Sequence, residues 1–173
     1  MTSTASLMPT SPKPSDLHRA AWRIREYRRT VAQNPWIPRR KPGEPKAHPK
    51  QRQFLLLADV PEALYGGAAG GGKSDALLMA AAQYVDVPGY AALLLRRSFP
   101  DLMQADALIP RSKQWWTGRA KWNAQEKRWT FPSGATITFG YLERDDDVSW
   151  LSLRNVPSVH LLVHDQLNTY DVL

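Results

Sequence analysis

Apolar positions change period along the chain, and the changes mark its elements. Met1 to Ser15 is mostly Ser, Thr and Pro with little apolar content, a composition expected to stay disordered. Asp16 can cap a helix from Leu17 to about Gln33, in which Trp22, Ile24, Tyr27 and Val31 form only an irregular apolar stripe among arginines. Asn34 to Pro49 holds five prolines and reads as an extended linker rather than a packed element. Pro49 to Asp59 suits a short helix with proline in its first turn. Glu62 to Tyr65 suits a short strand, and the helix-forming run from Lys73 continues to about Val85. Tyr90 to Leu95 is continuously apolar, as in a parallel strand buried on both faces.

A helical segment is expected from Pro100 to about Trp116. Lys121–Asn123 and Arg128–Phe131 then read as two arms of a hairpin. Pro132-Ser133-Gly134 is a second turn, and Thr136 to Tyr141 alternates as a strand does. Val159 to Val163 is a last apolar run, ending in His164-Asp165. No internal repeat is visible. Helices alternating with apolar strands predict an α/β fold: a mainly parallel sheet of the P-loop type with flanking helices, incomplete at this length, preceded by a basic helix and a Pro-rich linker. The boundary falls near residue 48, with the tail, helix and linker in 1–48 and a partial P-loop domain in 49–173.

The chemistry is concentrated between the expected strand at Glu62–Tyr65 and the helix at Lys73. Gly67-Ala68-Ala69-Gly70-Gly71-Gly72-Lys73-Ser74 fits G-x-x-x-x-G-K-[ST] at every required position. Glycines let successive backbone N–H groups curl around phosphate oxygens with no Cβ in the way. The following helix N-terminus adds partial positive charge. In this pattern Lys73 reaches the β- and γ-phosphates and Ser74 contributes its hydroxyl to Mg²⁺, so ATP and Mg²⁺ are the expected ligands.

Composition narrows the setting. The 173 residues suffice for one domain with a core, and the chain has no cysteine, which excludes disulfides and thiolate metal sites and suggests a reducing cytoplasm. No apolar run reaches the length of a membrane span, and Met1 to Ser15 has no apolar core of a signal peptide. Residues 1–52 carry 12 Lys and Arg against 3 Asp and Glu, whereas the remainder carries 11 against 13. The basic character therefore belongs to the N-terminal arm, which suits a polyanion such as nucleic acid and equally a solvated basic tail. The four histidines show no metal-ligand spacing, and Trp115 and Trp116 read as core or interface residues.

A phosphate loop that hydrolyses ATP needs a carboxylate at a neighbouring strand end and a group that orients water. Asp165 is the candidate on the Mg²⁺ side. Gln166 follows it where P-loop ATPases usually carry Glu, and an amide can position water without taking its proton. Charge on the transferred phosphate calls for arginine. Arg96 and Arg97 end the second apolar strand, and Arg97 or Arg154 is the candidate finger. The run Asp145-Asp146-Asp147 reads as a solvated loop, since clustered like charges repel.

Four blocks in order resemble the large terminase subunit of tailed bacteriophages: His48 to Leu55, Tyr65 to Ser74, Leu94 to Leu102, and Trp129 to Glu143. The resemblance implies an ATP-driven motor that packages double-stranded viral DNA, with the small terminase subunit and a portal as partners and a homo-oligomeric ring as the working form. It puts Gln51 at the adenine, Lys73 and Ser74 at the phosphates, and Asp165 at the second acidic motif, in the cytoplasm of a bacterial host. It also implies a later nuclease domain that this chain does not contain. Residues Val148 to His164 depart from the family. The alternatives are a prophage remnant that at most binds nucleotide or DNA, and another helicase-like P-loop ATPase.

Overall fold

The computed structural model describes residues 14–60, 63, 65–66 and 70–141, together with the backbone of 160–161. Helix α1 spans Pro14–Tyr27 and widens into a π-helical turn over Arg28–Ala32, so the helix expected as far as Gln33 changes type before it ends. Tyr27, Thr30 and Val31 at this junction are buried, while most of α1 is exposed. Helix α2 spans Pro49–Leu55 with its proline in the first turn, where a missing N–H costs no helical bond. Helix α3 spans Lys73–Ala82. Strand β1 spans Ala91–Arg96.

Two short helices follow, α4 at Phe99–Met103 and α5 at Leu108–Trp116, where one helix was expected. Ser98 caps α4 by accepting from the Asp101 N–H, and the Asp101 carboxylate accepts from the Ser98 N–H in return. The break before α5 has a local cause. Pro110 has no N–H to give to residue 106, and its ring crowds the preceding turn, so it is tolerated only in the first turn of a new helix.

Strands β2 (Lys121–Asn123), β3 (Arg128–Thr130) and β4 (Thr136–Tyr141) form an antiparallel meander. Strand β4 then pairs parallel with β1, with Ala91 opposite Thr136 and Arg96 opposite Tyr141. Strand β5, His160–Leu161, lies parallel on the other side of β1. The sheet order is β2-β3-β4-β1-β5, which is mixed rather than mainly parallel. Of the strand expected at Glu62–Tyr65, the described residues Ala63 and Tyr65 are in no strand.

Helix α3 is buried from Ala76 to Ala82, its alanines and leucines forming part of the core. The other half of the core is aromatic. Trp116, fully buried, meets Trp129 and Phe131 edge-on at ring separations of 5.8 and 5.3 Å. Trp36 meets Phe131 edge-on at 5.0 Å. Each indole N–H in this cluster has an acceptor: Trp116 donates to the Trp36 carbonyl, Trp129 to Ser112 Oγ and Trp36 to Asp86. Burying these rings is therefore not charged with an orphaned donor.

That cluster corrects the reading of Asn34–Pro49 as an unpacked linker. Trp36 is 8% exposed, and Ile37, Asn34 and Ala47 are buried. The Asn34 amide donates to the carbonyls of Thr30 and Ala82, tying the segment to the end of α3. Prolines extend the backbone without preventing its side chains from packing. Lys46 is buried too and donates to the Asn34 carbonyl; burial, with Arg39 and Arg119 nearby, holds its pKa below the ordinary lysine value. No helix among the described residues is long and apolar enough to cross a membrane.

Candidate phosphate-binding site

The glycine-rich loop delivers the chain into α3 through two left-handed residues, Gly70 at φ +75° and Gly72 at φ +73°. Gly72 is the residue that opens the helix. Only glycine adopts this conformation without strain, and a Cβ at Gly72 would also lie 2.7 Å from Gln51 Nε2. Gly67, Ala68 and Ala69 lie outside the described residues. Lys73 and Ser74 occupy the first turn of α3, both half-buried, where the helix dipole favours an anion. Asp75 in the same turn is held by Arg111 of α5 at 3.0 Å.

Strand β1 ends beside this turn. Arg96, its last residue, is 4% exposed and donates through Nη2 to Ser74 Oγ at 3.1 Å. The start of α3 therefore lies at the carboxyl ends of the parallel strands, the edge at which open α/β sheets hold ligands. Burial pulls the Arg96 pKa below its ordinary value and Asp101 works against that, yet a guanidinium stays charged. A buried cation thus sits next to the Ser74 hydroxyl.

Arg97, the candidate finger, is exposed, and the structure brings its neighbour Arg96 to the loop instead. No alternation could have separated the two, because β1 is buried on both faces. Arg154, Asp165 and Gln166 lie outside the described residues, as does the run Asp145–Asp147.

Gln51, which the resemblance put at the adenine, lies against the end of the loop. It is 0% exposed and its amide is engaged at both ends. Its Oε1 accepts from the His48 N–H at 3.0 Å, and its Nε2 donates to the Gly72 carbonyl at 2.8 Å. The His48 ring completes the capping box by accepting from the Gln51 N–H, and its Nε2 lies 3.2 Å from the Gly71 carbonyl. Since Nδ1 accepts, Nε2 carries the proton and donates. Sequence reasoning missed His48; its signal was its position before a proline-initiated helix with Gln at the third position.

A magnesium ion is compatible with this chemistry in one respect: Ser74 Oγ is a hard oxygen donor with a lone pair beyond the one that Arg96 engages. The guanidinium on the same oxygen competes with a metal for it. Two hollows of about 330 and 470 Å³ lie along α1, lined by residues such as Arg19, Trp22 and Asp59 or Arg23, Ile24 and Leu57, and neither includes the loop.

No family model matches the chain, and no solved structure matches it. Among curated proteins it is similar to large ribosomal subunit protein uL4. The identity is 59% over 32 residues with that of Cutibacterium acnes, covering 18% of this chain and 11% of that protein. It is 62% over 32 residues with that of Leifsonia xyli subsp. xyli, again 18% of this chain and 14% of that protein. With that of Frankia casuarinae it is 67% over 30 residues, 17% of this chain and 12% of that protein. The matched segment is thus a small fraction of either partner.

These matches overturn the terminase resemblance. The relatives found carry a ribosomal name, and nothing in the comparisons supports a terminase. The DNA-packaging motor, its prophage-remnant alternative, and the partners tied to them (double-stranded DNA, the small subunit, the portal and a ring on it) are withdrawn with it. Four short blocks in a shared order were a weaker signal than continuous identity over about thirty residues.

Proposed function

We propose that the chain binds the phosphate chain of a nucleoside triphosphate, ATP with Mg²⁺, at Gly67–Ser74, and that the site is of the ATPase class. The observation that carries the reading is the start of α3. Two left-handed glycines lead into Lys73-Ser74 with the buried Arg96 guanidinium 3.1 Å from the Ser74 hydroxyl. Backbone N–H groups of a helix start, a lysine and a buried arginine within a few residues of one another are donors that suit a polyphosphate and offer little to a neutral ligand. Ser74 is the residue that would hold Mg²⁺, which when bound neutralises charge on phosphate oxygens. The residues of the chain bind and orient: Lys73 and Arg96 supply positive charge, and Asp75, fixed by Arg111, keeps the first helical turn in place.

The test is a calorimetric titration of Mg-ATP into the purified chain beside Lys73→Ala and Arg96→Gln, with phosphate release followed in parallel. Saturable binding that Lys73→Ala abolishes supports the reading, and phosphate release that depends on Lys73 extends it to catalysis. Binding that is absent, or indifferent to Lys73, sinks it.

A second reading rests on the identity of about 60% with uL4, a protein of the large ribosomal subunit. In it, the matched segment of about thirty residues associates with that subunit. The two readings are compatible, since the match covers 18% of the chain. Co-sedimentation with purified large subunits on a sucrose gradient tests it, and a chain that stays at the top of the gradient refutes it. Both readings favour the cytoplasm.

A further inference from the structure

Helix α2 touches the glycine-rich loop at both ends. At the exit, Gln51 Nε2 donates to the Gly72 carbonyl and His48 Nε2 to the Gly71 carbonyl, at 2.8 and 3.2 Å. At the entry, the Phe54 ring stacks on Tyr65, two residues before Gly67, with centroids 4.9 Å apart and planes at 27°. Positions 48, 51 and 54 are spaced by three, so each is a surface neighbour of the next. The residue between Gln51 and Phe54 that matters for support, Arg52, lies over the Tyr27 ring at 5.6 Å and joins α2 to the end of α1. A loop whose glycines leave its backbone free needs such external holding if its N–H groups are to point inward before a ligand arrives.

We propose that His48 and Gln51 are positioning residues that hold this loop in its phosphate-accepting shape through two carbonyl contacts, with Phe54 fixing its entry. The inference rests on the phosphate-binding reading of the loop. It gives Gln51 a role that is blind to the nucleobase: the side chain acts on loop backbone, and the loop acts on phosphates.

Two variants separate this role from helix capping. Gln51→Met keeps the side-chain length in a fully buried place and removes the donor to Gly72. His48→Asn keeps a good capping acceptor for the Gln51 N–H but is too short to reach Gly71. Affinity for Mg-ATP and for inorganic triphosphate is measured with each, alongside Tm and millisecond amide exchange across residues 70–74 without ligand. Each lost hydrogen bond is expected to weaken both ligands by about tenfold and in equal proportion, with faster exchange confined to the loop.

Loss for ATP with triphosphate unchanged would assign Gln51 to the base and overturn the proposal. Unchanged affinities with unchanged loop exchange would overturn it as well, as would a fall in Tm with affinity preserved at temperatures where the variants are folded. If the unaltered chain binds neither ligand, the phosphate-binding reading fails by itself. The exchange data then decide separately: faster loop exchange in both variants upholds the holding role, and unchanged exchange refutes it.

Discussion

Replacing Gly72 by alanine should cost more than the same change at Gly70, and the difference can be worked from the local geometry. Both residues are left-handed, at φ +73° and +75°. For a residue with a Cβ that conformation costs about 1–2 kcal/mol. At Gly70 no atom lies within 4 Å of the Cβ position, so the conformational penalty is the whole effect. At Gly72 the new Cβ meets Gln51 Nε2 at 2.7 Å and His48 Nε2 at 3.2 Å. Gln51 is buried and bonded at both ends, so it escapes only by giving up its bond to the Gly72 carbonyl. A buried polar group left unpaired costs about a further 1–3 kcal/mol. Gly72→Ala is thus expected to destabilise by about 2–5 kcal/mol and Gly70→Ala by about 1–2 kcal/mol. Urea unfolding followed by tryptophan fluorescence measures both. In a Gln51→Ala background the Gly72→Ala cost should fall most of the way to that of Gly70→Ala, because the obstructing amide is gone and only the His48 contact at 3.2 Å remains. Equal costs for the two single variants, or no relief in the double variant, would refute the reasoning.

Further expectations concern the core and the site. Ser112→Ala removes the acceptor of the buried Trp129 N–H and should cost about 1–3 kcal/mol in urea unfolding, against almost nothing for Lys121→Ala at an exposed position. Trp36→Ala should cost about 3–5 kcal/mol, since it deletes an edge-on ring contact and an indole bond to Asp86; a surface-like cost below about 0.5 kcal/mol would return this segment to the status of a linker. Arg96→Gln should weaken triphosphate binding by about ten- to a hundredfold, the worth of a charged hydrogen bond, whereas Arg97→Gln should be far milder. Burial, aided by Glu26, raises the Tyr84 pKa from 10.0 to about 12. A proton held more tightly in the folded state stabilises fully below pH 10, and that contribution is lost as pH rises from about 10 to about 12. Unfolding midpoints measured across this range should fall, and fall less in Tyr84→Phe.

The parts of the fold legible in the sequence were those with a single physical cause. The glycine run before Lys73 fixed where α3 begins, and the unbroken apolar run at Tyr90–Leu95 marked β1. The hairpin arms and the alternation at Thr136–Tyr141 matched β2, β3 and β4. The misreadings arose where two causes compete. Prolines in Asn34–Pro49 announced extended backbone, but Trp36 and Ile37 between them carried enough apolar surface to be drawn into the core. Pro110 was present as a stop signal and was outweighed by the helix formers around it. The capping role of Gln51 went unread, although His48, Pro49 and Gln51 together spell a capping box whose amide has a carbonyl to reach. At the site, Lys73-Ser74 followed from spacing alone, and the arrival of Arg96 depended on a register no local pattern encodes.

The mixed sheet carries a consequence for the order in which the chain organises itself. Strands β2, β3 and β4 are neighbours in sequence as well as in space, and Trp122 pairs with Trp129 across a short turn. Pairing of this kind closes small loops and is entropically cheap. The β1–β4 ladder, by contrast, must bring Ala91 to Thr136 across two helices and the meander itself. The meander is therefore placed to form early and serve as the template on which β1 docks, carrying Arg96 to the loop only when that long-range ladder closes. Assembly of the phosphate site is then a late event in folding, and destabilising the tryptophan pair would slow its appearance without touching any residue of the site.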